Sequence, residues 1–108
     1  MLDLEKVTKE MFAAAFAVLR ERAPKLRSVV ELECRKIAQT LALVEVEFVS
    51  GELSREEAAL LVDMQRSATR SVLLMSQGMS LVIAERAVNG ALDVARAAIN
   101  TALGTRLL

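Results

Sequence analysis

The chain has 108 residues, with 14 Lys and Arg against 14 Asp and Glu, no His, one Cys and 54% hydrophobic residues. A net charge of zero argues against nucleic acid or an anionic membrane as a partner, because both attract clustered Lys and Arg. The lack of histidine removes the commonest general base and the commonest transition-metal ligand. We therefore expect no enzymatic activity, no cofactor and no metal.

The composition favours an all-α fold. Strong helix formers such as Ala, Leu, Glu and Arg dominate, whereas the helix breakers amount to four Gly and one Pro. A chain of this size buries only about 60–70% of the surface that its unfolded form exposes, so one copy can hardly cover so many apolar side chains. We expect a single domain over residues 1–108, a helical hairpin or bundle of three to four helices that is completed by oligomerisation.

The first helix is predicted at about residues 4–22. Asp3 is suited to cap it, and apolar residues then recur at spacings of three and four. Pro24 disfavours helical geometry at Ala23 but is well tolerated in a first helical turn, so a second helix is predicted to begin there.

The second helix is predicted at about residues 24–50. Its apolar seam alternates four-residue and three-residue spacings, as in a coiled coil, over Leu26, Val30, Cys34, Ile37, Leu41, Val44 and Phe48. Residues 44–49 also alternate apolar and polar side chains as a half-buried strand does, but no other segment could pair with such a strand. Gly51 is suited to the left-handed position that ends a helix.

The third helical stretch is predicted at about residues 55–103. Ser54 and Glu57 have the spacing of a capping box. Because the link between the second and third helices is only about four residues long, the two helices are predicted to fold back as an antiparallel hairpin. One unbroken helix over these residues would be about 73 Å long, so we predict a break near residues 76–78, with Asn89-Gly90 as the second candidate. Gly104 is suited to close the stretch.

The C-terminal part of this stretch carries the candidate interface. Apolar and small residues recur there every three or four positions, beside further alanines that would let another helix approach closely. The candidate interface residues are Leu74, Gly78, Leu81, Glu85, Val88, Ala91, Leu92, Ala95 and Ile99. Residues 72–83 are apolar on every side of a helix, which predicts that a partner chain covers part of them.

Glu85 interrupts the apolar seam. A carboxylate at such a position is costly unless it is paired, and three roles stay open: a functional carboxylate, a polar residue that fixes register, or a side chain that reaches solvent at a splayed helix end. Its expected partner is an Arg of another helix or of another copy. Cys34 lies on the seam of the second helix and is predicted to be a small buried hydrophobe rather than a nucleophile.

Together these patterns predict a non-enzymatic, self-assembling helical protein that serves as a scaffold or protein-interaction module. We expect a homo-oligomer, a possible further protein partner and no nucleic acid, because the basic clusters at residues 20–27 and 66–70 lack stacking aromatics. The alternative is a helical adaptor or chaperone with an exposed apolar surface for a partner helix, a lipid or a hydrophobic granule. The longest charge-free run, residues 71–84, is too short for a transmembrane segment, so a cytoplasmic location is expected.

Overall fold

The computed structural model describes residues 2–19, 24–76, 78–105 and 107–108. Within these ranges the chain forms four α-helices and no strand, which confirms the all-α prediction: α1 (Leu4–Leu19), α2 (Arg27–Val49), α3 (Arg55–Leu74) and α4 (Leu81–Leu103). A turn of 3₁₀ helix at Pro24–Leu26 leads into α2, as predicted for a helix that begins at the proline. The predicted end of the first helix at Arg22 lies outside the described residues.

Local hydrogen bonds start the helices where the sequence predicts. The Lys6 amide donates to Asp3 Oδ1 at 3.2 Å at the start of α1. The capping box of α3 is complete, because the Glu57 amide donates to Ser54 Oγ at 3.1 Å and the Ser54 amide donates to Glu57 Oε1 at 2.9 Å. Glycines with positive φ follow α2 and α4, at Gly51 and Gly104, as predicted.

The long C-terminal stretch is broken at the predicted place. Gly78 has a φ of +79°, a backbone conformation in which a Cβ is strained, and the Ile83 amide donates to Ser80 Oγ at 3.2 Å to start α4. The second candidate break, at Asn89-Gly90, was wrong, since α4 continues through it. Gly90 instead lies against α1, where an added Cβ would be 3.5 Å from the Ala14 carbonyl oxygen.

The helices form an up-and-down bundle in which α1 packs against α2 and α4, and α3 packs against α2 and α4. The antiparallel directions follow from contacts between distant residues. The Leu2 amide donates to Glu45 Oε1 at 3.2 Å, which joins the start of α1 to the end of α2. Val30 near the start of α2 and Leu73 near the end of α3 line one small cavity.

The bundle therefore has two different ends. The end that holds Pro24–Leu26 and the α3–α4 turn is called here the elbow end. The opposite end, called the terminal end, holds the α2–α3 turn, Leu2 and the C-terminal residues. There the side chain of Asn100 accepts hydrogen bonds from the Leu107 and Leu108 amides at 2.8 and 3.0 Å, which folds the last residues back onto α4.

The predicted seam of α2 forms one side of the core. Its middle members are buried and its end members, Leu26 and Phe48, are partly buried against them. Met11, Leu19, Leu92 and Ile99 fill the centre from α1 and α4. Residues 44–49 belong to α2, so their alternation does not mark a strand.

Candidate interaction surfaces

The candidate interface on α4 faces the interior of this chain over most of its length. Five of its members are buried in the core of the single chain: Val88, Ala91, Leu92, Ala95 and Ile99. They pack in a bundle whose α1–α4 contact is the most extensive one. The alanine-lined seam therefore receives α1, and these side chains present no surface to a partner while the bundle is intact.

Glu85 pairs with an arginine of another helix of the same chain. Arg70 Nη1 on α3 donates to Glu85 Oε1 on α4 at 3.0 Å, and the two side chains are 33% and 39% exposed. One turn further along α4, Arg66 Nε donates to Asn89 Oδ1 at 3.2 Å. These bonds hold α3 beside α4 near the turn that joins them, so the carboxylate that interrupts the seam has a partner in α3.

The remaining candidates lie at the elbow end, where the chain turns between α3 and α4. Leu74 and Leu81 are 37% and 53% exposed, and Gly78 is exposed between them. Their neighbours Met75 and Val82 are 85% and 65% exposed. We call Leu74, Met75, Leu81 and Val82 the turn surface. The sequence predicts that a partner chain covers part of residues 72–83. In the structure the helix is interrupted here, so these exposed side chains lie beside the turn between α3 and α4.

A second apolar surface runs along α2 and α3. It consists of large hydrophobic side chains that are 51–59% exposed: Leu32, Leu43, Val46, Leu60 and Met64. Leu43 and Val46 are three residues apart, and Leu60 and Met64 are four apart, so each pair lies on one outward stripe of its helix. The helices α2 and α3 pack side by side, and on each of them the stripe lies on the side that faces away from the core. We call this set the α2–α3 face.

Sequence reasoning missed the α2–α3 face. The sequence does contain an indication of it, because apolar residues recur at helical spacing on the side of α2 opposite to its seam. It is hidden because Val46 also belongs to the strand-like alternation of residues 44–49. Leu60 and Met64 lie in the first part of the stretch 55–103, whereas the strongest apolar pattern of that stretch begins only at Leu74.

The interior offers little reactive chemistry. Cys34 is buried beside Glu33, and burial, followed by the negative charges of Glu33 and Glu31, raises the pKa of its thiol to about 12. The cavity next to it measures about 10 Å³ and is also lined by Thr69, which accepts a hydrogen bond from Gln65 Nε2 at 3.3 Å. Such a volume is about the smallest that holds one water molecule. Cys34 therefore stays a protonated core side chain, as predicted.

The basic clusters are partly used within the chain. Arg27 lies 5.3 Å from the centre of the Phe12 ring and 3.8 Å from Glu31, and Arg66 lies 3.7 Å from Asp63. Lys25 is exposed, whereas Arg20 and Arg22 lie outside the described residues.

Comparisons with protein families, with curated proteins and with solved structures return no match for this chain. In the described ranges, no helix is long and apolar enough to cross a membrane, and no group of three or more acidic or cysteine side chains is placed to hold a metal ion. What the described residues do offer is two sets of exposed apolar side chains, the turn surface and the α2–α3 face.

Proposed function

We propose that this chain is a non-enzymatic helical protein that self-assembles and serves as a scaffold or protein-interaction module, with copies meeting at the α2–α3 face. The observation that carries the proposal is the half-exposed state of five large hydrophobic side chains on two adjacent helices. Exposed apolar patches on a soluble protein mark contact sites.

The size of the bundle supports a lateral contact. The molecule measures 43 × 23 × 18 Å along its principal axes, so its long sides outline about 770 to 990 Å², close to the roughly 800 Å² per partner of a standard interface. Both helices of the face belong to a hairpin that a capped turn holds in place. Copies would therefore meet through preformed surfaces and lose little conformational entropy on association.

Light scattering coupled to size exclusion, over a hundredfold range of concentration, tests the proposal. We expect a constant mass of two or more chains. The double variant Leu43→Gln/Met64→Gln should become monomeric, because glutamine keeps the helix but removes the apolar contact. The control is Val82→Gln on the turn surface, which should leave the mass unchanged. A wild-type monomer throughout, or dissociation by Val82→Gln alone, would refute self-assembly through the α2–α3 face.

The turn surface favours a second candidate function, a helical adaptor whose exposed apolar side chains receive a partner helix, a lipid or a hydrophobic granule. Met75 is the most exposed of the large hydrophobic side chains described, and its flexible thioether adapts to irregular surfaces. An uncharged hydrophobic dye should bind the native protein, and Met75→Gln/Val82→Gln should abolish this binding. Dye binding that is absent, or unchanged in the double variant, would remove this candidate.

Both candidates include a cytoplasmic location. The support is Cys34, since a single buried cysteine cannot form a disulfide within the chain and needs no oxidising compartment.

A further inference from the structure

Charge is separated along the long axis of the bundle, although the chain is neutral as a whole. The bundle divides at the middle of each helix into an elbow half and a terminal half. The elbow half holds seven basic residues, namely Lys25, Arg27, Arg35, Lys36, Arg66, Arg70 and Arg86, against the acidic residues Glu31, Glu33 and Glu85. The terminal half holds four basic residues, Lys6, Lys9, Arg55 and Arg96, against ten acidic ones. The antiparallel order of the helices produces this separation.

The acidic residues of the elbow half are largely neutralised by its own basic side chains. Glu31, Glu33 and Glu85 pair with Arg27, Lys36 and Arg70. Among the described basic residues of the elbow half, Lys25, Arg35 and Arg86 form no ion pair, and all three are exposed. Positive charge therefore remains available at this end for an anionic partner.

The turn surface lies at the same end. Met75 and Val82 are its most exposed members, and they flank a turn rather than the middle of a helix. Arg86 is one helical turn after Val82, and Lys25 lies in the neighbouring α1–α2 connection. An apolar projection at the same end as exposed basic side chains combines the two attractions of an anionic lipid interface, burial of apolar side chains and attraction to head groups.

The acidic terminal end of a second copy is the competing occupant, because its charge is also complementary. The area argues against it. The elbow end measures 23 × 18 Å across, and even with side chains extending beyond this outline it falls short of the roughly 800 Å² per partner of a standard protein interface. A lipid surface adapts to the turn and needs no matching contour, so a small projecting end suits it better.

We propose that the elbow end docks on an anionic lipid surface, with the turn surface entering the interfacial layer and Lys25 and Arg86 facing the head groups. This inference rests on the second candidate function and names its partner. It is independent of association through the α2–α3 face, which lies along the side of the bundle. The terminal end, with its excess of carboxylates, points away from the lipid.

Vesicle flotation tests the inference, with phosphatidylcholine vesicles that contain or lack 30% phosphatidylglycerol. At low salt we expect binding that is at least about tenfold tighter with the anionic lipid and that is released at about 0.5 M salt. Lys25→Glu/Arg86→Glu should weaken this binding at least about twentyfold. The matched control is Lys6→Glu/Lys9→Glu, which makes the same change at exposed lysines of the terminal half and should have little effect.

A second pair of variants tests how much the apolar side chains of the turn surface contribute to vesicle binding. Met75→Gln should weaken binding to the anionic vesicles severalfold, whereas Val49→Gln, at an apolar side chain that is 71% exposed near the terminal end, should not. Circular dichroism melting confirms that each variant is folded. Equal binding to both kinds of vesicle, equal loss in the two charge-reversal variants, or no vesicle binding would overturn the inference.

Two further measurements separate the possible failures. If the protein binds the uncharged dye at the turn surface but floats with neither kind of vesicle, the adaptor function stands and the lipid partner is refuted. A protein that binds neither dye nor vesicle refutes both. Light scattering without lipid tests the competing occupant. If copies associate end to end and Lys25→Glu/Arg86→Glu abolishes this association, the acidic end of a second copy is the occupant and the lipid proposal is wrong.

Discussion

Arg70 donates to Glu85 at 3.0 Å across the α3–α4 junction, so the carboxylate that interrupts the apolar seam of α4 is paired within the chain. The sequence predicts that Glu85 pairs with an arginine of another helix or of another copy, and the structure confirms the first of these, since Arg70 belongs to α3. The two side chains are 33% and 39% exposed, so neither is an isolated charge in the core. The pair fixes α3 beside α4 at the point where the turn surface begins.

A double-mutant cycle should measure a modest coupling between these two residues. With Arg70→Met, Glu85→Gln and the double variant, we expect about 0.5–1 kcal/mol, because solvent screens a partly exposed pair. The measurement is urea unfolding of all four proteins. The control cycle on Asp93 and Arg96, an exposed pair 3.6 Å apart on α4, should give less than about 0.5 kcal/mol. A coupling near zero at Arg70 and Glu85 would contradict the bridging role.

Substitutions at Gly90 and Gly78 should change stability in opposite directions. Gly90→Ala should raise the free energy of unfolding by about 1 kcal/mol, because alanine favours the helix and its Cβ meets Ala14 at an ordinary contact distance of 3.5 Å. Gly78→Ala should lower it by about 1–2 kcal/mol, because its φ of +79° strains any Cβ. Thermal melts check both. A loss of stability in Gly90→Ala would contradict the space for a Cβ between α1 and α4.

Cys34 should react with alkylating reagents only when the bundle opens. Burial raises the pKa of its thiol to about 12, so at pH 8 almost no thiolate is present in the folded state. Alkylation of the native protein should therefore be slower by orders of magnitude than in urea. Rapid native labelling would contradict the burial of this side chain.

Cys34 should also make stability fall at alkaline pH. Because the folded pKa of the thiol is raised above its ordinary value of 9.0, the folded state holds its proton more tightly, and the stability gained is lost as pH rises from 9 toward 12. The decrease from this group cannot exceed about 1.4 kcal/mol per pH unit. The variant Cys34→Ala should show a shallower decrease in urea unfolding between pH 9 and pH 10.

Ser54→Ala should remove the cap of α3 and lower stability by about 1 kcal/mol at neutral pH. The hydrogen bonds from the Ser54 backbone and side chain lower the pKa of the Glu57 carboxyl. The contribution of Glu57 is thus fully present above pH 4.5 and is lost as pH falls through the lowered pKa. Urea unfolding at pH 7 and pH 3 should show a larger effect of Ser54→Ala at pH 7. The exposed helical residue Ser71, changed to alanine, is the control and should cause no loss.

Sequence alone determined the features that depend on neighbouring residues. The caps at Asp3 and Ser54, the break at Gly78 and the seam of α2 each arise within a few residues, where backbone conformation and helical spacing decide the outcome. The paired state of Glu85 was also predictable, since the cost of an unpaired charge holds in any packing arrangement.

Tertiary structure alone decided what covers each apolar stripe. Helical periodicity shows that Val88 and Leu92 share one face, but it cannot tell whether α1 or another copy packs on that face. The break at Gly78 turns α4 back into the bundle, which buries this seam and leaves Met75 and Val82 exposed. The charge separation follows from the same folding back, because the antiparallel helices bring distant basic residues to one end and acidic residues to the other. The net charge of zero does not show this separation, because it counts all residues together. Only the fold decides which charged residues lie at which end of the bundle.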